Sequence, residues 1–251
     1  MRQLTFRELL QAPLSNIIQI RLLKTVLKYL ELSYNDSVLS VGTGNGLDCF
    51  IISKRVREVI GIDISEPMIK ILNRKMKRRN LRFYAMDATI EPPSEFLARF
   101  DKCICTEVLE HVENPEGLLR FVKMILKQGG RLVITFPTNN PKHGINYLTE
   151  EQVLHMFKKT SWDHVQTWRL EPTKLGILTD RLYRRIQREL MPPKTDANRF
   201  EETTAFKMIA KPAKMNSLYK FGIVFLSMLP LNKYQVKRGS SGAVLAVAKK
   251  I

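Results

Sequence analysis

An α/β fold built on a doubly wound, mostly parallel sheet is predicted by two observations. The first is the apolar run Val38-Leu39-Ser40-Val41, which ends in Gly42, Gly44 and Gly46 and then becomes helical. Such a run reads as a buried parallel strand, and glycines directly after it let the backbone turn tightly beneath a ligand. The second is the rhythm of the chain, in which further apolar runs alternate with helical segments over about 46–55, 66–79 and 115–127; strands and helices that alternate in this way build parallel sheets. Asp63 and Asp87 close the second and third of these runs, so both carboxylates are expected at one edge of the sheet, facing one crevice.

The glycine spacing narrows the ligand. A dinucleotide loop reads G-x-G-x-x-G, whereas here the third glycine comes one residue early and Leu47 stands where the pattern requires glycine. The Gly-Lys-Ser/Thr ending of a nucleoside triphosphate loop is absent as well. A nucleoside without phosphates fits better, with the carboxylate of Asp63 placed to hold ribose hydroxyls.

The helices have readable limits. Apolar residues at helical spacing over 4–32, among them Leu9, Leu10, Ile17, Val26, Leu27 and Leu30, predict one or two helices broken near Pro13. Ser65 and Pro67 start the helix after Asp63, and Asn114 caps the next with Pro115 in its first turn. Arg74, Lys75, Lys77, Arg78 and Arg79 crowd the end of the second helix, where cations oppose the negative end of its dipole. Residues 130–136 read as a fifth strand, Thr149 and Gln152 as a capping box, and 163–169 as a sixth strand.

These stations together resemble the class I S-adenosylmethionine-dependent methyltransferases. The residues that carry the resemblance are Gly42-Thr-Gly44-Asn-Gly46, Gly61-Ile-Asp63, Met86-Asp87-Ala88, Cys105-Thr106-Glu107-Val-Leu-Glu110-His111-Val and Gly129-Gly130-Arg-Leu-Val-Ile-Thr-Phe-Pro137, in that order. It covers residues 37–170 well and the ends loosely. One departure is Ser40, where the family usually has an acidic residue two positions before the first glycine. The resemblance implies a seven-stranded, mostly parallel Rossmann-like sheet closed by an antiparallel strand at 242–249. It also implies S-adenosyl-L-methionine as cofactor, S-adenosyl-L-homocysteine as product, and a cofactor site made by Gly42, Gly44, Gly46, Asp63, Ile64, Met68, Asp87, Ala88 and Thr106.

On this reading residues 1–251 form one methyltransferase domain. Its parts are N-terminal helices (1–36), a cofactor-binding core (37–170), an insertion (171–238) and a final strand (239–251). The insertion carries Arg181, Arg184, Arg185 and Arg188 on an expected helix and the apolar stretch Phe221–Leu231. Residues 151–251 hold 19 Lys and Arg against 8 Asp and Glu, a net +11 out of a total of +17. Such charge favours an anionic partner, and basic and oily features together suit a lid that touches an anionic membrane surface.

Three cysteines make no even disulfide framework, and Cys103 and Cys105 sit at period two in an expected strand, as core residues in a reducing compartment. No N-terminal pattern of a cleaved signal and no apolar run of about 20 residues is present. The expected location is cytoplasmic, with peripheral contact at the inner membrane surface.

The cofactor carries an activated methyl, so the protein must align a nucleophile, exclude water and, for a hydroxyl acceptor, take its proton. His111 and His143 follow the fourth and fifth strands at the ligand-facing edge and are the candidate catalytic bases, whereas His155 and His164 fall farther along. Glu107, Glu110 and His111 form E-x-x-E-H, similar to the motif that binds a divalent ion with a downstream histidine in quinone-ring O-methyltransferases and small-RNA 2′-O-methyltransferases. Glu107, Glu110, His111 and His143 are therefore the alternative metal set, with the metal-free base preferred. The preferred acceptor is a small-molecule or lipid-linked hydroxyl. The alternatives are RNA methylation and a non-catalytic S-adenosylmethionine-binding protein.

Overall fold

The computed structural model describes residues 17–138, 145, 146, 148–171, 235–237 and 243–250. The elements are α1 (Ile17–Leu30), β1 (Ser37–Val41), α2 (Leu47–Ile52), β2 (Glu58–Asp63), α3 (Glu66–Lys75), β3 (Leu81–Ala85) and β4 (Phe100–Thr106). They continue with α4 (Pro115–Ile125), β5 (Leu126–Pro137), α5 (Glu150–Lys159), β6 (Asp163–Glu171), β7 (Gln235–Lys237) and β8 (Ala243–Lys249). The chain divides into two units, residues 1–25 with 172–235 and residues 26–171 with 236–251. The second unit holds every site residue described below.

All five residues of β1 are buried, as a central strand covered on both faces requires. The strand order is β3-β2-β1-β4-β5-β8-β6-β7. Strands β1 to β5 pair in parallel, and β8 runs antiparallel to both β5 and β6. The seven expected strands are all present, the closing one included, and the three-residue β7 adds an edge strand that no sequence pattern announced. Chain direction across the sheet reverses between β1 and β4, so a topological switch point lies beside the glycine turn. Val41 pairs with Ile62 and Cys105, Asp63 with Ala85, and Thr106 with Thr135, so the C-terminal ends of five strands share one edge.

The core packs Leu39, Ile60, Cys103, Cys105, Phe121, Phe136 and Phe157 between sheet and helices. Cys103 and Cys105 are free thiols whose burial pushes both well up, so they stay protonated. Trp162 packs edge-on against Phe157 at 5.9 Å and donates its indole N–H to Leu119 O at 3.2 Å. Arg131 of β5 donates to Tyr29 O at 3.0 Å and pairs with Glu31 at 2.8 Å, fastening the end of α1 to the sheet.

Asn114 accepts from Gly117 N at 2.9 Å, and Thr149 with Gln152 completes the capping box of α5. Three helices end earlier than periodicity suggests. α3 stops at Lys75 rather than near 79, because Asn80 ties the chain to Ser53 O and Val56 O at 2.7 and 3.0 Å just before β3 begins. Lys77, Arg78 and Arg79 therefore lie beyond the helix, and Arg78 stacks on the Phe50 ring at 4.4 Å. α2 ends at Ile52 and α4 at Ile125, where the next residue already belongs to β5. The expected break at Pro13 and most of the 171–238 insertion lie outside the described residues.

Gly61, mid-strand in β2, has no room for a methyl: a Cβ would lie 2.7 Å from Phe83 Cδ1 and 2.8 Å from Cys49 Sγ. Gly61→Ala is expected to overpack the sheet and lower stability by about 1–3 kcal/mol, read as a lower urea midpoint at unchanged m-value.

Candidate active site

The turn after β1 is built on positive φ at Gly42, Gly44 and Gly46, which are 64°, 51° and 72°. Thr43 N donates to Ile62 O at 3.0 Å, and Gly44 N to Asp63 Oδ2 at 2.9 Å, so the turn is latched to the end of β2. The other Asp63 oxygen accepts from Ser65 N at 3.0 Å. A Cβ at Gly42 would stand 2.3 Å from Val108 Cγ2, whereas a Cβ at Gly44 would meet nothing nearer than Gly42 O at 4.0 Å. The open side of the turn is thus at Gly44. Gly42 is where the loop after β4 closes on it.

Beneath the turn lies a carboxylate that the spacing did not single out. Asp48 in α2, its carboxyl buried, accepts hydrogen bonds from Ser40 Oγ, from Thr43 Oγ1 at 3.1 Å, from Cys49 N at 2.7 Å and from the Cys49 thiol. Burial pushes its carboxyl up, and the hydrogen bonds from Ser40, Cys49 and Thr43 oppose that shift. An acidic residue two places after the third glycine, facing a serine where an acid is customary, was the signal available.

The remaining expected residues distribute along the same edge. Ile64, directly after Asp63, is 76% exposed, an apolar side chain held out at a strand tip. Met68 is half-buried in the first turns of α3. Asp87 Oδ1 accepts from Thr89 N and Oγ1 at 2.8 and 2.7 Å, beside the buried Ala88. Thr106 ends β4.

Glu107 takes φ 55°, a backbone region that few side chains adopt, and its N–H donates to Thr135 O at 3.0 Å. Its Oε1 accepts from Thr135 Oγ1 at 3.2 Å. A single 3-10 turn, Leu109–His111, then buries Glu110 and leaves His111 exposed, with His111 Nε2 3.8 Å from Glu110 Oε1. Burial, reinforced by the nearby Glu107, pushes the Glu110 carboxyl up to about 7. Ile145 N and Asn146 N both donate to Glu110 O, at 2.8 and 3.0 Å, so these two residues are held on this turn. His143 lies outside the described residues, and among the described residues no three His, Cys, Asp or Glu side chains gather around a common metal position.

The sequence profile of the methyltransferase domain family matches residues 15–179. The chain belongs to this family, the class I S-adenosylmethionine-dependent methyltransferases. It is 29% identical over 144 residues to the ubiquinone biosynthesis O-methyltransferase of Coxiella burnetii, covering 56% of this chain and 62% of that protein. It therefore spans about three fifths of the length of the curated relatives it matches. A putative methyltransferase of Bacillus halodurans shares the fold with a TM-score of 0.56 at 15% identity, over 91% of this chain and 98% of the other. A SAM-dependent methyltransferase of Archaeoglobus fulgidus does so with 0.55 at 17% identity, over 94% and 95%.

The residues present fit the cofactor that this family implies. The Gly44 side of the turn leaves the space a side chain would fill, Asp63 and Asp87 are carboxylates of the kind that would accept from ribose hydroxyls, and the exposed Ile64 is an apolar side chain that would flank a base. The turn presents no lysine for a phosphate.

The raised Glu110 carboxyl has a consequence for stability. A carboxyl that titrates near 4.5 when unfolded and near 7 when folded keeps its proton longer in the native state. Its stabilising contribution is complete below the unfolded value and is lost as pH rises through the folded one, at roughly 1.4 kcal/mol per unit of separation. Urea denaturation of the unaltered protein is expected to show this decline between pH 4.5 and 7 relative to Glu110→Gln. Parallel pH profiles for the two proteins would contradict the assignment.

Proposed function

We propose that this chain methylates a hydroxyl of a small-molecule or lipid-linked acceptor, with S-adenosylmethionine bound over the glycine turn. The observation on which the reading rests is the Glu107–His111 turn after β4, where a buried carboxyl raised to about 7 is followed directly by an exposed imidazole. A carboxyl that titrates near neutral pH suits proton transfer. The similarity to proteins named ubiquinone biosynthesis O-methyltransferase, including that of Dechloromonas aromatica at 29% identity over 141 residues, supports a hydroxylated ring as acceptor.

When bound, the cofactor supplies a methyl on a sulfonium, already activated for transfer. Gly42, Gly44 and Gly46 let the backbone pass beneath it, Asp63 and Asp87 hold its ribose, and Ile64, Met68, Ala88 and Thr106 flank the remainder. His111, or His143 from the segment after β5, would take the proton of the acceptor hydroxyl. The 171–238 segment, basic and apolar, meets an anionic membrane surface that presents the acceptor. Among the described residues no helix is long and apolar enough to cross a membrane.

Two measurements test the reading. Calorimetry with S-adenosylhomocysteine is expected to show Asp63→Ala weakened by about 1–3 kcal/mol, since the variant loses a ribose acceptor and the latch on Gly44 N. Unchanged affinity would sink the assigned pose. Transfer of labelled methyl to a catechol with an apolar tail is expected to fall roughly 10²–10⁴-fold in His111→Ala or in His143→Ala and to resist chelators. Chelator-sensitive turnover would instead place an ion among Glu107, Glu110, His111 and His143, and label transferred only to RNA would replace the acceptor.

A further inference from the structure

Residues 53–57 carry three cations and residues 74–82 carry six, and neither stretch holds an Asp or a Glu. Compensation of a helix dipole accounts for few of them. α3 ends at Lys75, so Arg74 and Lys75 sit in its last turn, whereas Lys77, Arg78, Arg79 and Arg82 lie beyond it. The fold then draws the two stretches together. Asn80 Nδ2 donates to Ser53 O and Val56 O at 2.7 and 3.0 Å, and Lys54 and Arg78 converge on the Phe50 ring, 5.3 and 4.4 Å from its centroid. Like charges gathered in this way repel one another unless an anion joins them. The acid next in sequence, Glu58, is taken by Arg99 at 2.7 Å and by Ser37 Oγ at 2.8 Å. Arg74, Lys77 and Arg79 are exposed, and among the described residues no carboxylate pairs with their side chains.

Both stretches enter strands at the N-terminal ends, at Glu58 of β2 and Leu81 of β3, whereas the glycine turn follows the C-terminal end of β1. At about 3.3 Å per residue, the six residues of β2 put roughly 17 Å between these two edges of the sheet. A ligand of the basic edge is thus separate from the cofactor. The rest of the patch decides its kind. Val56, Met76 and Leu81, the apolar residues of the two stretches, are all buried, so the surface offers charge without an apolar side chain to enter a bilayer. Six of the nine cations are Arg, whose planar fork matches phosphate oxygens. Phosphates in series are what a nucleic-acid strand presents.

We propose that the edge formed by residues 53–57 and 74–82 binds the phosphate backbone of a nucleic acid. Arg82 Nη1 donates to Arg79 O at 3.1 Å and to Leu81 O at 3.0 Å, which fixes the turn that displays Lys77 and Arg79. Contacts of this kind position a strand and do not read its bases.

Fluorescence anisotropy with a dye-labelled oligouridylate of about 20 nucleotides, and with a DNA duplex of similar length, reads the contact. Lys77→Gln combined with Arg79→Gln is expected to weaken the tighter probe roughly tenfold at about 0.1 M salt, and to flatten the slope of log Kd against log salt by about 1.4 for the single strand. Arg74→Gln with Arg79→Gln serves as a second pair should the first disturb folding, read from the urea midpoint. Lys28→Gln with Lys158→Gln removes the same charge from exposed positions on α1 and α5 and should stay within about twofold of the unaltered protein. Equal loss from the patch and control pairs would show that only net charge matters and would overturn the proposal, as would no saturable binding of either probe. A patch pair that lowers flotation with phosphatidylglycerol vesicles and leaves both nucleic-acid affinities unchanged would assign the edge to a membrane instead.

Discussion

The hydrogen bond from Gly44 N to Asp63 Oδ2 joins the two strands on which the site depends. It ties the tip of β1 to the tip of β2 at the edge where a crossing chain must turn from strand to helix. With positive φ at the glycine and a carboxylate that also holds Ser65 N, the start of α3 is set by the same side chain. Val108 closes on Gly42 from the β4 side, so the turn is gripped between its neighbours in the sheet. Turn and sheet are therefore one constraint, because the turn cannot be displaced without loosening the strand ends that hold it.

Charge is arranged against the trend of the chain. The protein carries 41 Lys and Arg against 24 Asp and Glu, yet Asp48, Asp63, Asp87, Glu107 and Glu110 all stand at the C-terminal edge of the parallel strands. A cleft lined by one sign of charge and walled by apolar groups focuses its field. The same crowding has a cost within the protein, visible in the Glu110 carboxyl raised to about 7 by burial and by Glu107.

The turn at Leu109–His111 connects this edge to the chain beyond β5. Glu110 offers its carbonyl to Ile145 N and Asn146 N, and Asn146 Nδ2 donates to Val112 O at 2.5 Å. Residues 145 and 146 are thereby anchored at the turn that carries the candidate base. Matches to curated relatives run over little more than half of this chain.

The sequence by itself determined the sheet and its active edge. Gly42, Gly44 and Gly46 announced the turn because few other residues adopt its backbone, and Asp63 and Asp87 announced strand ends because a carboxylate closes each apolar run. Asn114, Thr149 and Gln152 announced helix starts because capping is a local bond between near neighbours. Only the tertiary structure decided the rest. α3 stops at Lys75 because Asn80 is bound to carbonyls some 25 residues back, at Ser53 and Val56, which no helical period encodes. Asp48 meets Ser40 across eight residues of turn, and Glu110 rather than His111 is buried, because partners and burial come from elements packed together in space. Local rules set where the chain bends, and long-range packing set which side chains lose water and so acquire chemistry.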